Sequence, residues 1–337
     1  MKLKKLLAAA FAGIIAVGSL AGCAGGGSAS SGGGSSSGGG DTVKIGYVNL
    51  ADTDVFCMSR RDAFKAAAEA EGWSVECTDG NNDSQKQIDQ AKSFIAKGVD
   101  VLIVVPCDAA GIVPAVQEAN RAGVPIILFG NGATGADDLD YTFIGSPHTE
   151  SGRMQGDLFA QILPENANIC YLAGTSGLDH AAMRRDGMKA GFEAAGRSDI
   201  TILDDQDADY VKDKGMKTTQ AWIQKYADGK GGVTFNGIIA ANDQMALGAM
   251  EALKGANIAL GTGEGQVMIS GIDGTAEALQ AVKDGQMAQT VLQDAPGQGA
   301  AAVDVIKTYM AGEKPEAEVL VPYVSVTAEN VDEYLSK

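Results

Sequence analysis

Val101-Leu102-Ile103-Val104-Val105 is an unbroken apolar run in which all but Leu102 are β-branched. A strand with one wet face would alternate polar and apolar residues, so a continuous run of this kind is buried on both sides. A parallel sheet covered by helices supplies that burial. The flanking sequence has the matching period: Ile88, Ala91 and Ile95 recur at helical spacing and stop at Gly98, and another helical stretch ends at Arg121-Ala122-Gly123. The alternation is general. Residues 43–50, 73–77 and 124–129 read as strands, with 63–70 in a helix closed by Gly72. Further along, 168–172, 200–203, 237–240 and 267–271 read as strands, with helices over 181–195, 212–227 and 243–253. Repeated βα units of this kind specify an α/β fold, and ten or more of them divide into two doubly wound sheets.

The N-terminus is a different material. Met1-Lys2-Leu3-Lys4-Lys5 precedes an apolar stretch over 6–20 and then Leu20-Ala21-Gly22-Cys23. Basic, apolar, then small is the order of a secretory signal. With a cysteine at the cut site it resembles the lipobox of a bacterial lipoprotein. That resemblance implies removal of residues 1–22 as signal peptide and a diacylglycerol on the Cys23 sulfur. It places the chain on the outer face of the cytoplasmic membrane, since two acyl chains hold a soluble domain stably there. A plain signal peptide with an incidental cysteine is the competing reading. Residues 24–40 are only glycine, serine and alanine, which makes 23–40 a flexible tether and starts the folded part near 41.

Composition narrows the partners. The net charge is −17, and because residues 1–22 carry three lysines and no acid, the remainder carries −20. That sign argues against nucleic acid or anionic lipid as a partner. No apolar run after residue 40 is long enough to cross a bilayer. Beyond Cys23 the cysteines are Cys57, Cys77, Cys107 and Cys170, and the histidines are His148 and His180 alone. None stand at zinc-ligand spacing. The cysteines read as free, buried small hydrophobes, with one disulfide open as the alternative on the oxidising side of the membrane. His148, close to a boundary between halves, reads as structural or solvated.

Open parallel sheets bind ligands beyond the carboxyl ends of their strands. Those positions hold Asn49-Leu50-Ala51-Asp52-Thr53-Asp54-Val55-Phe56, Ala241-Asn242-Asp243, Gly271-Ile272-Asp273-Gly274 and Leu292-Gln293-Asp294. With Glu150-Ser151-Gly152, Gln155-Gly156-Asp157 and Val321-Pro322-Tyr323-Val324, in this order over some 290 residues, the chain resembles the type 1 periplasmic binding proteins. The resemblance is to the galactose/glucose- and ribose-binding family that feeds sugar ABC importers.

The resemblance implies two α/β lobes joined by a three-crossover hinge, near 145–149, Gln293 and Pro322. One lobe would comprise 41–147 plus 294–320, the other 148–293 plus 321–337. A monosaccharide or similar polyol would sit between them, and a monomer would deliver it to the importer's membrane subunits. A sensory protein reporting a sugar, inositol, nucleoside or furanosyl autoinducer to a chemoreceptor or kinase is the alternative.

Sugar hydroxyls are costly to desolvate unless paired, and carboxylates and amides bridge adjacent hydroxyls while aromatic rings cover C–H faces. By resemblance the ligand-binding residues are Asn49, Asp54, Phe56, Asn131, His180, Arg184, Tyr210, Asn242, Asp273 and Gln293, with Arg185 as the slip alternative to Arg184. Asn242 and Asp273-Gly274 also suit a helix cap and a turn, Phe56 also suits the core, and Tyr210 and Arg184 also suit the surface.

The chain departs from the family at two places. Gly130-Asn131 stands where an Asp-Arg or Asn-Lys pair is common, and Leu178-Asp179-His180 is a shifted version of the usual His and Asp. The loop Leu163-Pro164-Glu165-Asn166 is too short and too poor in carboxylates for the family's calcium site. No metal, no cofactor and no enzymatic constellation is expected. Gly261-Thr262-Gly263-Glu264-Gly265 reads as a surface loop, and Asp204-Asp205 as a solvated turn.

Overall fold

The computed structural model describes residues 42–176 and 178–335. The expected signal peptide (1–22), the lipidated Cys23 and the tether (23–40) lie outside the described residues. In chain order the elements are β1 (Lys44–Asn49), α1 (Val55–Ala70), β2 (Ser74–Asp79), α2 (Ser84–Ala96), β3 (Val101–Val104), α3 (Val113–Ala122), β4 (Ile126–Phe129) and β5 (Thr142–Gly145). They continue with α4 (His148–Ile162), β6 (Asn168–Ala173), α5 (Asp179–Ala194), β7 (Thr201–Asp207), α6 (Lys212–Lys225), β8 (Gly237–Ala240) and α7 (Asp243–Gly255). The last are β9 (Met268–Asp273), α8 (Ala276–Lys283), β10 (Gln289–Gln293), α9 (Ala295–Met310), β11 (Glu318–Leu320) and β12 (Tyr323–Val326).

Two six-stranded sheets result, ordered β11-β5-β4-β3-β1-β2 and β12-β10-β9-β8-β6-β7. The first is parallel throughout, and in the second β12 runs antiparallel to β10. The fold is α/β and doubly wound in both halves, as the pattern required. In each sheet the strand order reverses beside the first strand, between β1 and β3 and between β6 and β8, so both sheets present a crevice at their carboxyl ends. Between the sheets the chain passes three times: after β5, after β10, and from β11 to β12 through Val321 and Pro322 alone.

The continuous apolar run is β3, every residue of which is buried. One face of its sheet packs Tyr47, Phe64, Phe129 and Ile103, and the other packs Phe94, Leu102, Ile112 and Leu128. A single larger core serves the second sheet around Tyr171, Phe159, Trp222 and Leu247. Helix entries are fixed by side chains that accept from backbone N–H groups three residues on: Asp54 from Cys57, Asp83 from Lys86, Asn242 from Met245, Thr275 from Ala278 and Asp294 from Gly297.

Two details depart from the sequence reading, and one of its alternatives falls. Strands β5, β11 and β12 are too short and too mixed in composition to stand out from periodicity. The Asp204-Asp205 pair is not a turn but part of edge strand β7, where Asp204 meets Lys225 at 2.7 Å and Asp205 meets Arg185 at 2.8 Å. Charges there blunt an edge that would otherwise invite another strand. The four cysteines Cys57, Cys77, Cys107 and Cys170 are free, which removes the disulfide alternative.

Helices α4 and α5 touch backbone to backbone. A Cβ on Gly152 would lie 1.8 Å from the Arg184 carbonyl oxygen, and one on Gly187 would lie 2.0 Å from that of Thr149. This close seat carries the Glu150-Ser151-Gly152 motif and fixes where α5 aims Arg184. Gly152→Val should therefore push the helices apart and destabilise the fold by about 1–3 kcal/mol, read as a lowered urea midpoint. A midpoint equal to wild type would show that the helix pair has slack.

Candidate functional site

A cavity of about 220 Å³ lies where the carboxyl ends of the two sheets meet. Its walls are the residues that follow strands: Asp54, Phe56, Cys57 and Arg60 after β1, Asn131 after β4, His180 and Arg184 on α5 after β6, Tyr210 after β7, and Asn242 after β8. Asp273 and Gln293 end β9 and β10. Of the residues expected from the sequence, Asp54, Phe56, Asn131, His180, Arg184, Tyr210, Asn242, Asp273 and Gln293 thus come together. Asn49 does not join them. It is fully buried, and its amide donates to the Ala51 carbonyl (3.3 Å) and to Asp52 Oδ1 (2.8 Å). Those bonds shape the first loop from behind.

Two arginines dominate the electrostatics. Arg60 is 3% exposed and Arg184 4% exposed, and among the described residues neither has a carboxylate within ion-pair distance. Arg60 lies 4.7 Å over the Phe129 ring and 5.4 Å from that of Phe56. It donates a hydrogen bond to Cys57 Sγ at 3.6 Å and interacts with the Tyr47 hydroxyl, and among the described residues its Nε has no partner. Burial pushes the Cys57 thiol well up, so the sulfur is uncharged and leaves the cation unbalanced. Arg184 donates to the carbonyl of Ala241, to Gln293 Oε1 at 3.4 Å and to the Tyr323 hydroxyl at 3.3 Å. Burial alone would favour its neutral form, but Tyr323, Tyr210 and Asp273 outweigh it and hold the guanidinium charged. Arg185 faces away, against Asp205.

The carboxylates complement them. Asp54 caps α1 through one oxygen, at 2.8 Å from the Cys57 N–H. Asp273 is buried, and among the described residues no hydrogen bond reaches its carboxyl. Burial pushes its carboxyl well above the usual range, an effect that Arg184 only partly offsets. Its backbone is strained as well: Asp273 has φ +129° and Tyr210 φ +62°, values that favour glycine. Tyr210 reaches its place because Gly174 has no side chain; a Cβ there would lie 2.0 Å from the tyrosine ring. Asn242 is both cap and wall, accepting from the Met245 N–H at 3.0 Å and donating to the Tyr210 carbonyl at 3.3 Å.

His148 corrects the sequence reading: it is neither solvated nor merely structural but lines the cavity. Nε2 lies 3.1 Å from the Gly130 carbonyl and Nδ1 2.9 Å from the Tyr323 hydroxyl. A carbonyl only accepts, so Nε2 carries the proton and Nδ1 accepts from Tyr323, whose oxygen accepts in turn from Arg184. Burial, then Arg184, lowers the His148 pKa to about 3. His180 is likewise pushed well below its ordinary value, by burial and then by His148. Its ring stacks on Tyr210 at 5.3 Å and lies 5.4 Å from His148.

Arg60 and Tyr323 were also missed. The available signal was spacing: Arg60 falls one helical turn after Phe56 and so shares its face. Gly130 was the second clue. A Cβ there would lie 2.1 Å from Arg60 Nη1, so this glycine is the seat of an arginine from another element. Among the described residues no group of three His, Cys, Asp or Glu is arranged to hold a metal ion.

The family described as a periplasmic binding protein domain matches residues 45–314. The ribose import binding protein of Haemophilus influenzae is 31% identical over 83% of this chain and 89% of its own length. The xylitol-binding protein of Mycolicibacterium smegmatis is 30% identical over 87% and 79% respectively. A solved ABC transporter solute-binding protein from Bacillus halodurans with bound myo-inositol superimposes with a TM-score of 0.77 at 33% identity, covering 88% of this chain and 99% of the other. These relatives are solute-binding proteins rather than enzymes.

The neutral histidines give a pH signature. Below an ordinary pKa near 6.5 the unfolded chain takes up protons that the buried rings refuse, so each ring removes stability as pH falls, by up to about 1.4 kcal/mol per pH unit. Asp243, pushed up to about 6 by burial, and Asp273 act oppositely, because they protonate first in the folded chain. His180→Gln isolates the imidazole contribution. Its urea midpoint should fall less than that of wild type between pH 6.5 and 5; parallel curves would mean that His180 is open to water.

Proposed function

The chain belongs to the periplasmic binding protein family, and from that premise we propose that it captures a small neutral polyol, a monosaccharide or a close analogue, for an ABC importer. The observation that carries this reading is the cavity with two buried arginines and two aspartates that form no ion pair with one another. A hydroxyl both donates and accepts, so a polyol can donate hydrogen bonds to Asp54 and Asp273 and accept them from Arg60 and Arg184. An anion would satisfy only the arginines, and an alkane neither. Phe56 and Tyr210 supply flat faces for C–H groups. At about 220 Å³ the space falls below the roughly 300–1,000 Å³ of drug-sized ligands and suits one ring. The binding of ribose, xylitol and myo-inositol by relatives supports the same class.

The likeness of residues 20–23 to a lipobox supports tethering of this binder to the outer face of the membrane through Cys23. Among the described residues no helix is long and apolar enough to cross a bilayer. The lobes would be 41–147 with 294–320 and 148–293 with 321–337. A ligand touching both favours their closed arrangement because only there does it gain both sets of contacts.

A thermal-shift panel of ribose, galactose, allose, xylitol and myo-inositol tests the reading, since a ligand of the native state raises Tm. At least one should do so. A flat response across the panel would overturn it. With the ligand found, Asp273→Ala should cost about 2 kcal/mol or more of binding, because it leaves ligand hydroxyls buried without a partner. Arg60→Met should weaken binding comparably while filling the same space. Wild-type Kd in either variant would remove that residue from the site.

A further inference from the structure

The sugar cavity is not closed on all sides. Gly130, Asn131, His148, Leu178 and His180 line it, and the same residues line a second, larger cavity of about 740 Å³ that runs out past the loop after β4 to edge strand β11. We infer that this groove holds the second part of the ligand, and that the chain takes a glycoside bearing an uncharged, largely apolar substituent rather than a bare sugar. The inference rests on the polyol reading above and extends it to the neighbouring space.

Continuity comes first. The five residues common to both linings make the two spaces neighbours, so a substituent leaving a ring on the His148 and His180 side of the small cavity faces the groove. The lining comes second. Leu139, Tyr141, Phe143, Met183 and Leu320 give it apolar and aromatic walls. Met183 and Leu320 are 44% and 45% exposed, with Val211 the three most exposed large hydrophobics among the described residues. Apolar side chains left wet in a concave surface joined to a ligand cavity gain by being covered.

Charge decides the class of the substituent. The acids Asp137, Asp179 and Glu318 line the groove, and among its described lining residues there is no lysine or arginine. The two imidazoles are held neutral by burial. A phosphate or carboxylate would meet only acids. A second sugar ring would find hydroxyl partners in Asn131, Thr134, Asp137, Tyr141, Asp179 and Glu318, which makes a disaccharide the rival occupant that the titration must exclude. A flat uncharged group meets the rings and aliphatic side chains. The groove has a closed side, where Thr134 Oγ1 donates to Asp179 Oδ2 at 3.5 Å between the β4 loop and the start of α5.

Calorimetric titration separates the outcomes. The probes are ribose, galactose, phenyl β-D-ribofuranoside, phenyl β-D-galactopyranoside, adenosine and lactose. At least one aryl glycoside or the nucleoside should bind tenfold or more tightly than its parent sugar. Met183→Trp, which fills the groove from an exposed position on α5, should cut that advantage to less than twofold and leave the parent sugar's Kd unchanged. Leu320→Trp fills it from the opposite wall and serves if the first variant loses stability. Free sugars that bind while substituted ones bind no better, or equal losses for both in the filled variants, would overturn the groove and leave the polyol reading standing. An advantage for lactose as large as for the aryl glycosides would overturn its apolar character. No binding by any probe would instead strike the polyol reading itself.

Discussion

Two guanidinium groups held out of water with no carboxylate in contact set the terms for everything around the cleft. A buried charge is tolerated only where dipoles, rings and hydrogen bonds replace its hydration. Arg184 has a carbonyl, an amide oxygen and a phenol oxygen. Arg60 has two aromatic faces, a neutral thiol and the Tyr47 hydroxyl, a poorer set, and among the described residues the Nε of both arginines stays bare. The imbalance is directional: what Arg60 lacks, a guest with oxygen lone pairs supplies.

The surrounding backbone is arranged to keep that imbalance from relaxing. Tyr210 and Asp273 are held at φ values an unconstrained residue of either type avoids. Tyr210 is wedged against Gly174 and stacked on His180, and Asp273 is followed by Gly274 at φ +73°. Side chains fixed in this way cannot swing together into an arginine–aspartate pair before a ligand arrives. Preorganisation of this sort reduces the ordering cost of binding.

The fold was legible because it rests on long-wavelength signals: doubly apolar strands such as Val101–Val104 and helices that stop at glycine. Short strands at or beside a sheet edge were not, because β5, β11 and β12 owe their pairing to neighbours in space rather than to their own composition. The site divided along the same line. Residues that end or closely follow a strong strand, such as Asp273 and Asn242, could be located from sequence. Arg60 could not, since its position depends on a vacancy at Gly130 seventy residues away, and His148 depends on Tyr323 across a still longer stretch. Asn49 misled for the opposite reason: it stands at a strand end, as Asp273 and Gln293 do, but its amide is taken up by Ala51 and Asp52 of the following loop.

The direct run from β11 into β12 bears on mechanics. Two residues span about 7 Å at most, and one of them is Pro322, with its φ fixed by the ring. The Val321 N–H is also bonded to the Gly145 carbonyl at 2.8 Å, which ties the third strap to the first. Such a short, stiff, cross-braced link resists both stretching and sideways slip. What it leaves cheap is a swing about the line of the three straps, the kind of movement a door makes on its pins.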